Sequence, residues 1–278
     1  MAIEPSTVGA EGAPLAGQDA PLISVIIPHY NDLAILERCM GLLAAQTLPR
    51  SQFEVVVADN NSRCGLNEVK RVCGGTARVV PAPFQRAGAA RNAAVEAPRG
   101  RVLAFIDSDC RPTPAWLERG LAALSSAQIV GGQVDVDYED PAHPTAVEAF
   151  ERVFAFNFKR YIEKLGFSGS GNMFVPREIF DRVGCFRGQV AEDLDWGQRA
   201  IAANYRFDEV VVSIRRDGFG ASLPRNGGNP RAKRLPRLSR SRMDAPCGFS
   251  GVSLSSLRHS STRSRSSVQT SWTVRGSG

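Results

Sequence analysis

Residues 101–110 read RVLAFIDSDC: an apolar run from Val102 to Ile106 that ends on two carboxylates, Asp107 and Asp109, with one residue between them. A short, branched, apolar run suits a strand covered on both faces, as in a parallel sheet flanked by helices. In open α/β sheets ligands bind outside the carboxyl ends of the strands, so both aspartates are expected in a crevice rather than in the core. Two neighbouring carboxylates repel each other unless a positive group stands between them. A divalent cation is the usual such group, and Mg2+ is commonly held by one or two carboxylates plus substrate phosphates. The alternative is an Asx turn that closes the strand, helped by Pro112 and Pro114.

Strand and helix patterns alternate on both sides of this stretch. LISVIIP (22–28), FEVVVADN (53–60) and ARVVPA (77–82) read as strands. DLAILERCMGLLAAQTL (32–48) puts Leu36, Met40, Leu43 and Ala44 at helical spacing, and 65–73, AGAARNAAVEA (87–97) and PAWLERGLAALSS (114–126) read as further helices. Such alternation predicts an α/β fold with a Rossmann-like, mostly parallel central sheet, right-handed crossovers and flanking helices. The later half is less regular: AQIVGGQVDVDYE (127–139) is a strand, TAVEAFERVFAFNFKRYIEKL (145–165) a long helix, SGSGNMFVP (168–176) a Gly-rich turn into a strand, and AEDLDWGQRAIAANY (191–205) a helix. Asp135 and Asp137 form a second D-x-D, but strand alternation puts both on one face, which reads as a solvated face rather than a metal site.

With 278 residues, 43% of them hydrophobic, the chain can bury one sizeable core, so one domain with tails is expected. No apolar stretch is long enough for a transmembrane helix, and the first twenty residues lack the basic start and apolar core of a signal peptide. Six scattered cysteines without a C-x-x-C pair predict reduced thiols in a cytoplasmic protein. The net charge of +6 is split: residues 213–278 hold 13 Lys and Arg against two acidic residues, whereas residues 1–212 hold 21 against 26. Residues 1–20 read as a flexible leader. Residues 213–278, with fifteen Ser and no Glu, read as a basic disordered tail.

Neither G-x-G-x-x-G nor G-x-x-x-x-G-K-[ST] occurs, so dinucleotide and P-loop readings lose most of their support. Asp59 ends the second strand, and Pro28-His29-Tyr30-Asn31 ends the first. Three polar strand ends predict one ligand crevice, suited to a nucleotide diphosphate held through a metal.

SVIIPHYND, VVVADNNS, AGAARNAA, LAFIDSD, SGSGNMFVPREIFDRVGCF and AEDLDWGQRA, in this order over about residues 22–212, resemble the successive blocks of family 2 glycosyltransferases with the GT-A fold. The resemblance implies a nucleotide-binding half (21–110) and an acceptor half (111–212). It also implies inverting transfer of a sugar from a nucleotide diphosphate donor, usually a UDP-sugar, to an acceptor hydroxyl, with Mg2+ or Mn2+. Carried over residue by residue, it places Pro28, Tyr30 and Asn31 in the nucleotide pocket, Asp59 on the uracil ring and Arg91 beside the nucleotide or its diphosphate. Asp107 and Asp109 match the D-x-D motif, with Asp109 the more direct metal ligand. Asp193 matches the catalytic base, supported by Glu192 and Asp195, while Gly169, Gly171 and Asn172 shape the wall near donor sugar and acceptor. Trp196 is either an acceptor platform or helix packing.

No Q-x-x-R-W follows the acidic block, which disfavours the processive, membrane-embedded branch and leaves polysaccharide, lipid-linked oligosaccharide or glycolipid assembly. A saccharide or lipid-linked acceptor and peripheral contact with anionic membrane at the inner face of the cell membrane are the expected partners. After VVVS the family's usual His-Pro segment is missing, and a shifted frame from Ser213 can read His-Pro-Ala-Arg-Arg when third bases are G or C. The tail is therefore either native or frameshifted, and on the second reading it packs on nothing and supplies no site residue. Two rival functions stay open: a sugar-phosphate nucleotidyltransferase, against which stands the lack of a Gly-rich basic N-terminal loop, and a nucleic-acid-binding protein acting through its tail. The acidic core and the scarcity of tail aromatics, Phe249 and Trp272 among them, speak against nucleic acid.

Overall fold

The computed structural model describes residues 20–137, 142–143, 146, 149–150, 157–188 and 191–217. In chain order these form β1 (Ile23–His29), α1 (Leu33–Ala44), β2 (Phe53–Asp59), α2 (Leu66–Cys73), β3 (Arg78–Pro81), α3 (Ala87–Glu96), β4 (Val102–Ile106), β5 (Cys110–Pro112), α4 (Trp116–Ala123), β6 (Ile129–Asp137), α5 (Phe158–Arg160), β7 (Asn172–Pro176), α6 (Arg177–Val183), α7 (Glu192–Ala202) and β8 (Phe207–Asp217). A short 3-10 turn, Arg50–Gln52, precedes β2, and a π turn, Tyr161–Leu165, follows α5. The chain divides into two units, Met1–Arg231 and Ala232–Gly278, and every described residue belongs to the first. The leader through residue 19, residues 145, 147–148 and 151–156 of the helix expected over 145–165, and the basic tail after 217 with its expected membrane contact lie outside the described residues.

One eight-stranded sheet runs in the order β3-β2-β1-β4-β7-β6-β8-β5. The four strands β3, β2, β1 and β4 are parallel, as the alternating pattern predicts. Beyond β4 the sheet is mixed: β7 is antiparallel to β4 and β6, β8 is parallel to β6, and β5 is antiparallel to β8. The central strands are apolar on both faces because both faces are covered. Ile27, Val57 and Ala104 face a cluster with Leu36, Leu43, Val69, Trp116 and Leu117; Ile26, Val56 and Phe105 face one with Ala90, Ala94, Phe180 and Trp196. Each such aliphatic side chain is fully or almost fully buried, worth roughly 1.5–3 kcal/mol relative to exposure. Asp32 caps α1 by accepting the Ile35 N–H at 3.1 Å, and Gly74 ends α2 in the left-handed region at φ 57°.

Close packing makes one glycine decisive. A Cβ on Gly120 of α4 would lie 2.2 Å from Cζ of Phe174, whose ring is fully buried against Trp116. Gly120→Ala is expected to cost about 1–3 kcal/mol through forced displacement of that ring, read as a lowered midpoint in urea unfolding.

The boundary expected at residue 212 falls inside β8. Ser213–Asp217 continue that strand, hydrogen-bonded to β6 on one side and β5 on the other, because VVVSIRR extends the strand begun at Phe207. Among the described residues, Cys39, Cys64, Cys73 and Cys110 are free cysteines. Asp135 on β6 is exposed, as expected of the second D-x-D. No helix among the described residues is long and apolar enough to cross a membrane.

Candidate active site

The carboxyl ends of β2, β1 and β4 lie side by side, and the sheet changes direction of growth between β1 and β4: from β1 the chain builds outward to β2 and β3, then crosses to β4. A cleft of about 660 Å3 opens at this point, the place where an α/β sheet leaves room for a ligand. Pro28, Tyr30, Asn31, Arg91, Asp107 and Asp109 all line it, together with His29, Asn60 and Arg216. Tyr30 is 42% exposed, so its ring offers an open face.

The rim is held by its own hydrogen bonds. Asn31 sits in the left-handed region at φ 65°, which an asparagine tolerates, and its N–H donates to Ser62 Oγ at 2.8 Å. Its Oδ1 accepts the Arg63 N–H at 2.8 Å, tying the end of β1 to the loop after β2. Asp59 serves that loop: its carboxylate accepts the Ser62 N–H at 3.2 and 3.4 Å, and it is not among the residues lining the cleft. These bonds close the turn after β2.

Arg91, almost fully buried on α3, joins two halves of the site. Its Nη2 donates to Asp107 Oδ1 at 2.6 Å and its Nη1 to Glu192 Oε1 at 3.1 Å. Burial works against its charge, but Asp107, Asp193 and Glu192 outweigh that and hold its pKa above the ordinary value. Asp107 is likewise opposed by burial, yet the Arg91 and Arg216 guanidinium groups keep its carboxyl below the usual range. Asp193 behaves differently. Burial pushes its pKa up, with Glu192 and Asp107 adding to the rise and Arg91 and Ser170 resisting it. Ser170 Oγ donates to Asp193 Oδ1 at 2.6 Å, which fixes the carboxylate at the start of α7. A half-buried, raised-pKa carboxylate oriented by a hydroxyl is equipped to take a proton. Gly171 stands beside Asp107: a Cβ there would lie 3.1 Å from its Oδ2.

Two residues expected on the acceptor side, Asn172 and Trp196, are structural instead. Asn172 is fully buried; its amide donates to the Gln133 carbonyl at 2.9 Å and the Val212 carbonyl at 2.7 Å, and its Oδ1 accepts the Trp116 Nε1–H at 2.9 Å. Those bonds tie β7 to β6, β8 and α4, leaving nothing for a substrate. Trp196 is buried between Phe180, Phe186 and Phe207 and donates to the Gly184 carbonyl at 2.8 Å, so it is packing and not a platform. Trp196→Phe is expected to cost about 0.5–1.5 kcal/mol for the lost hydrogen bond, read by thermal unfolding, with acceptor KM unchanged. Asp195 pairs with Arg199 at 2.9 Å, one turn along α7, and with Arg187 at 3.8 Å. Glu192 reaches the site only through Arg91.

His29 and Arg216 are among the cleft residues to which the sequence reading gave no site role. His29 is buried with neither ring nitrogen hydrogen-bonded among the described residues, and burial lowers its pKa despite Asp59 and Asp32. Its position between Pro28 and Tyr30 was the available signal. Arg216 was expected in a basic disordered tail, which on the frameshift alternative supplies no site residue; the continuing strand pattern of VVVSIRR was the signal there. Its Nη2 lies 2.7 Å from Asp109 Oδ2 and its Nη1 3.4 Å from Asp107 Oδ2.

The expected Mg2+ or Mn2+ meets this arrangement directly. Two carboxylates are chemically right for such a cation. As the side chains stand, however, Arg91 holds one oxygen of Asp107, and Arg216 lies against its other oxygen and against Asp109. Among the described residues no three His, Cys, Asp or Glu side chains gather to hold an ion. The residues so placed do not fit a divalent cation.

A family model described as glycosyl transferase family 2 matches residues 24–193. The chain is 34% identical over 193 residues to the glycosyltransferase AglE of Haloferax volcanii, covering 66% of this chain and 63% of that protein. It is 36% identical over 256 residues to the validoxylamine A glucosyltransferase of Streptomyces hygroscopicus subsp. limoneus, covering 78% and 55%. The chain thus spans less than two thirds of the length of either relative. Its fold matches the mannosyltransferase PcManGT from Pyrobaculum calidifontis in complex with GDP-Man and Mn2+, with TM-score 0.55, 22% identity and coverage of 76% of this chain and 59% of that one. Residues 1–349 of S. aureus TarS, in complex with UDP-GlcNAc, match with TM-score 0.54, 19% identity and coverage of 74% and 59%.

Proposed function

The chain belongs to glycosyl transferase family 2, and from that premise we propose that it transfers a sugar, with inversion, from a nucleoside diphosphate donor to a hydroxyl of a saccharide or lipid-linked acceptor. The observation that carries this reading is the Arg91 bridge: one buried guanidinium touches both Asp107, at the end of β4 in the cleft, and Glu192, the neighbour of Asp193 at the start of α7. A donor-binding end and a proton-accepting end are thereby within reach of one side chain.

In this reading Tyr30 and Asn31 flank the nucleoside, and the arginines at the β4 end supply fixed positive charge near the diphosphate. Asp193 accepts the proton of the acceptor hydroxyl as that oxygen bonds to the anomeric carbon. The bond from this carbon to the diphosphate breaks with its electron pair leaving on the diphosphate oxygen. Ser170 orients the base, and Arg91 offsets the charge of the clustered carboxylates. The neighbours of similar fold are complexes with UDP-GlcNAc and with GDP-Man, so uridine and guanosine donors are the pair to compare first. The Pyrobaculum protein is a complex with Mn2+ as well, but no step here is routed through a cation.

A panel of UDP- and GDP-sugars, followed by nucleoside diphosphate release and by mass spectrometry of glycosylated acceptors, tests the proposal. Release that Asp193→Asn removes, without loss of donor binding, supports it. Formation of a nucleotide sugar from nucleoside triphosphate and sugar phosphate would instead favour a nucleotidyltransferase, for which the cleft offers no separate support.

A further inference from the structure

The place between Asp107 and Asp109 is filled by this chain's own arginine. Arg216 spans both carboxylates, with side-chain exposure of 18% against 20% and 27% for the two aspartates. Its backbone is not a loose end. Arg216 pairs with Cys110, the residue after Asp109, in the β5–β8 ladder, and with Val136 in the β6–β8 ladder. Strand geometry on both sides thus delivers the guanidinium to the D-x-D carboxylates. With Arg91 on the other Asp107 oxygen, the chain's own guanidinium groups answer both D-x-D carboxylates, while Arg91 also bonds Glu192.

Mg2+ requires carboxylate oxygens at about 2.0–2.1 Å in near-octahedral geometry. A guanidinium nitrogen 2.7 Å from Asp109 Oδ2 stands where such an ion would sit, so the two are mutually exclusive. An arginine is permanently charged, and its planar fork matches phosphate as well as carboxylate. It also lines the same cleft as Tyr30 and Asn60. We infer that Arg216 takes the place of a divalent cation in this chain: it excludes the metal from Asp107 and Asp109 and supplies the positive charge that receives the donor diphosphate. The second half of this inference rests on the nucleoside diphosphate reading above; the first does not.

Mn2+ binding, followed by the loss of the free-ion signal in electron paramagnetic resonance without nucleotide, tests the first half. The wild-type chain is expected to take up no stoichiometric Mn2+ below millimolar concentration, while Arg216→Gln gains a site at least tenfold tighter. Equal Mn2+ affinity in the two proteins, or tight binding by the wild type, overturns the exclusion. Calorimetry with UDP and GDP tests the second half. Wild-type affinity is expected to be the same within twofold in EDTA and in Mn2+, and Arg216→Gln is expected to lose tenfold or more in EDTA and recover it with Mn2+. A tenfold gain by the wild type on adding Mn2+ overturns the inference. Failure of either nucleotide to bind the wild type under any condition refutes the donor reading, and the Mn2+ measurement still decides the exclusion. The wild-type arms need no variant, so a misfolded Arg216→Gln leaves the test intact.

Discussion

Asp193→Asn is expected to lower kcat by roughly 10² to 10⁴, the usual loss on removing a general base, while the dissociation constant of the donor stays within about twofold. The amide keeps an acceptor oxygen for Ser170 Oγ, which now bonds Asp193 Oδ1 at 2.6 Å, so the local geometry is preserved and the basicity is lost. A stability signature accompanies the kinetic one. Burial raises the folded-state pKa of Asp193 above its ordinary value, so folding favours the protonated form. Stability from this group is then fully present below the unfolded pKa and is lost as pH rises through the folded one. The asparagine variant escapes that loss, and its melting temperature should exceed that of the wild type at pH 7 but not at pH 3. For the same reason, the acid limb of the wild-type kcat profile should lie above the ordinary aspartate range. An unchanged kcat in Asp193→Asn would move the base elsewhere, with Glu192 the nearest carboxylate on the same turn.

Arg91→Ala should be the most damaging single change to the fold around the site. The guanidinium side chain is 6% exposed and answers Asp107 at 2.6 Å and Glu192 at 3.1 Å, with Asp193 in the same field. Removing one partner of a buried ion pair strands the other, at a cost of about 3–5 kcal/mol. Here three carboxylates lose their common counter-charge. The deficit should shrink as pH falls, because protonation of the stranded carboxylates removes the repulsion that Arg91 had offset. Urea unfolding at pH 7 and pH 5 measures both effects. Equal midpoints for wild type and variant at pH 7 would show that Glu192 and Asp107 find other compensation. Donor affinity should fall together with stability, which separates this variant from Asp193→Asn.

Two corrected site residues, Asn172 and Trp196, have neighbours that the local sequence does not announce. Asn172 is bonded to Trp116, Gln133 and Val212, from 39 to 56 positions away. Nothing in SGSGNMFVP announces such partners, and a Gly-rich turn next to an asparagine reads equally well as a binding wall. Trp196 lies on a helix whose acidic first turn faces the site, and only the aromatic neighbours Phe180, Phe186 and Phe207 show that its ring is turned inward. Asp59 ends its strand as Asp107 does, but the turn that follows uses its oxygens for Ser62.

Short-range physics controls the part of this fold that can be read from the residues. Apolar runs such as Val102–Ile106, helical spacing in Leu36, Met40 and Leu43, the Asp32 cap and the turn residues each act within a few positions, so the parallel half of the sheet and the carboxylates at its strand ends were legible. The ordered blocks carried the family in the same way. Only the tertiary structure decided the order of the outer strands, the burial of Asn172 and Trp196, and the meeting of Arg216 with Asp107 and Asp109. The physical reason is that backbone pairing sets distance without regard to separation along the chain: the β5–β8 ladder brings position 216 beside position 110. A basic residue in a Ser/Arg-rich stretch reads as solvated charge until a strand register places it between two carboxylates.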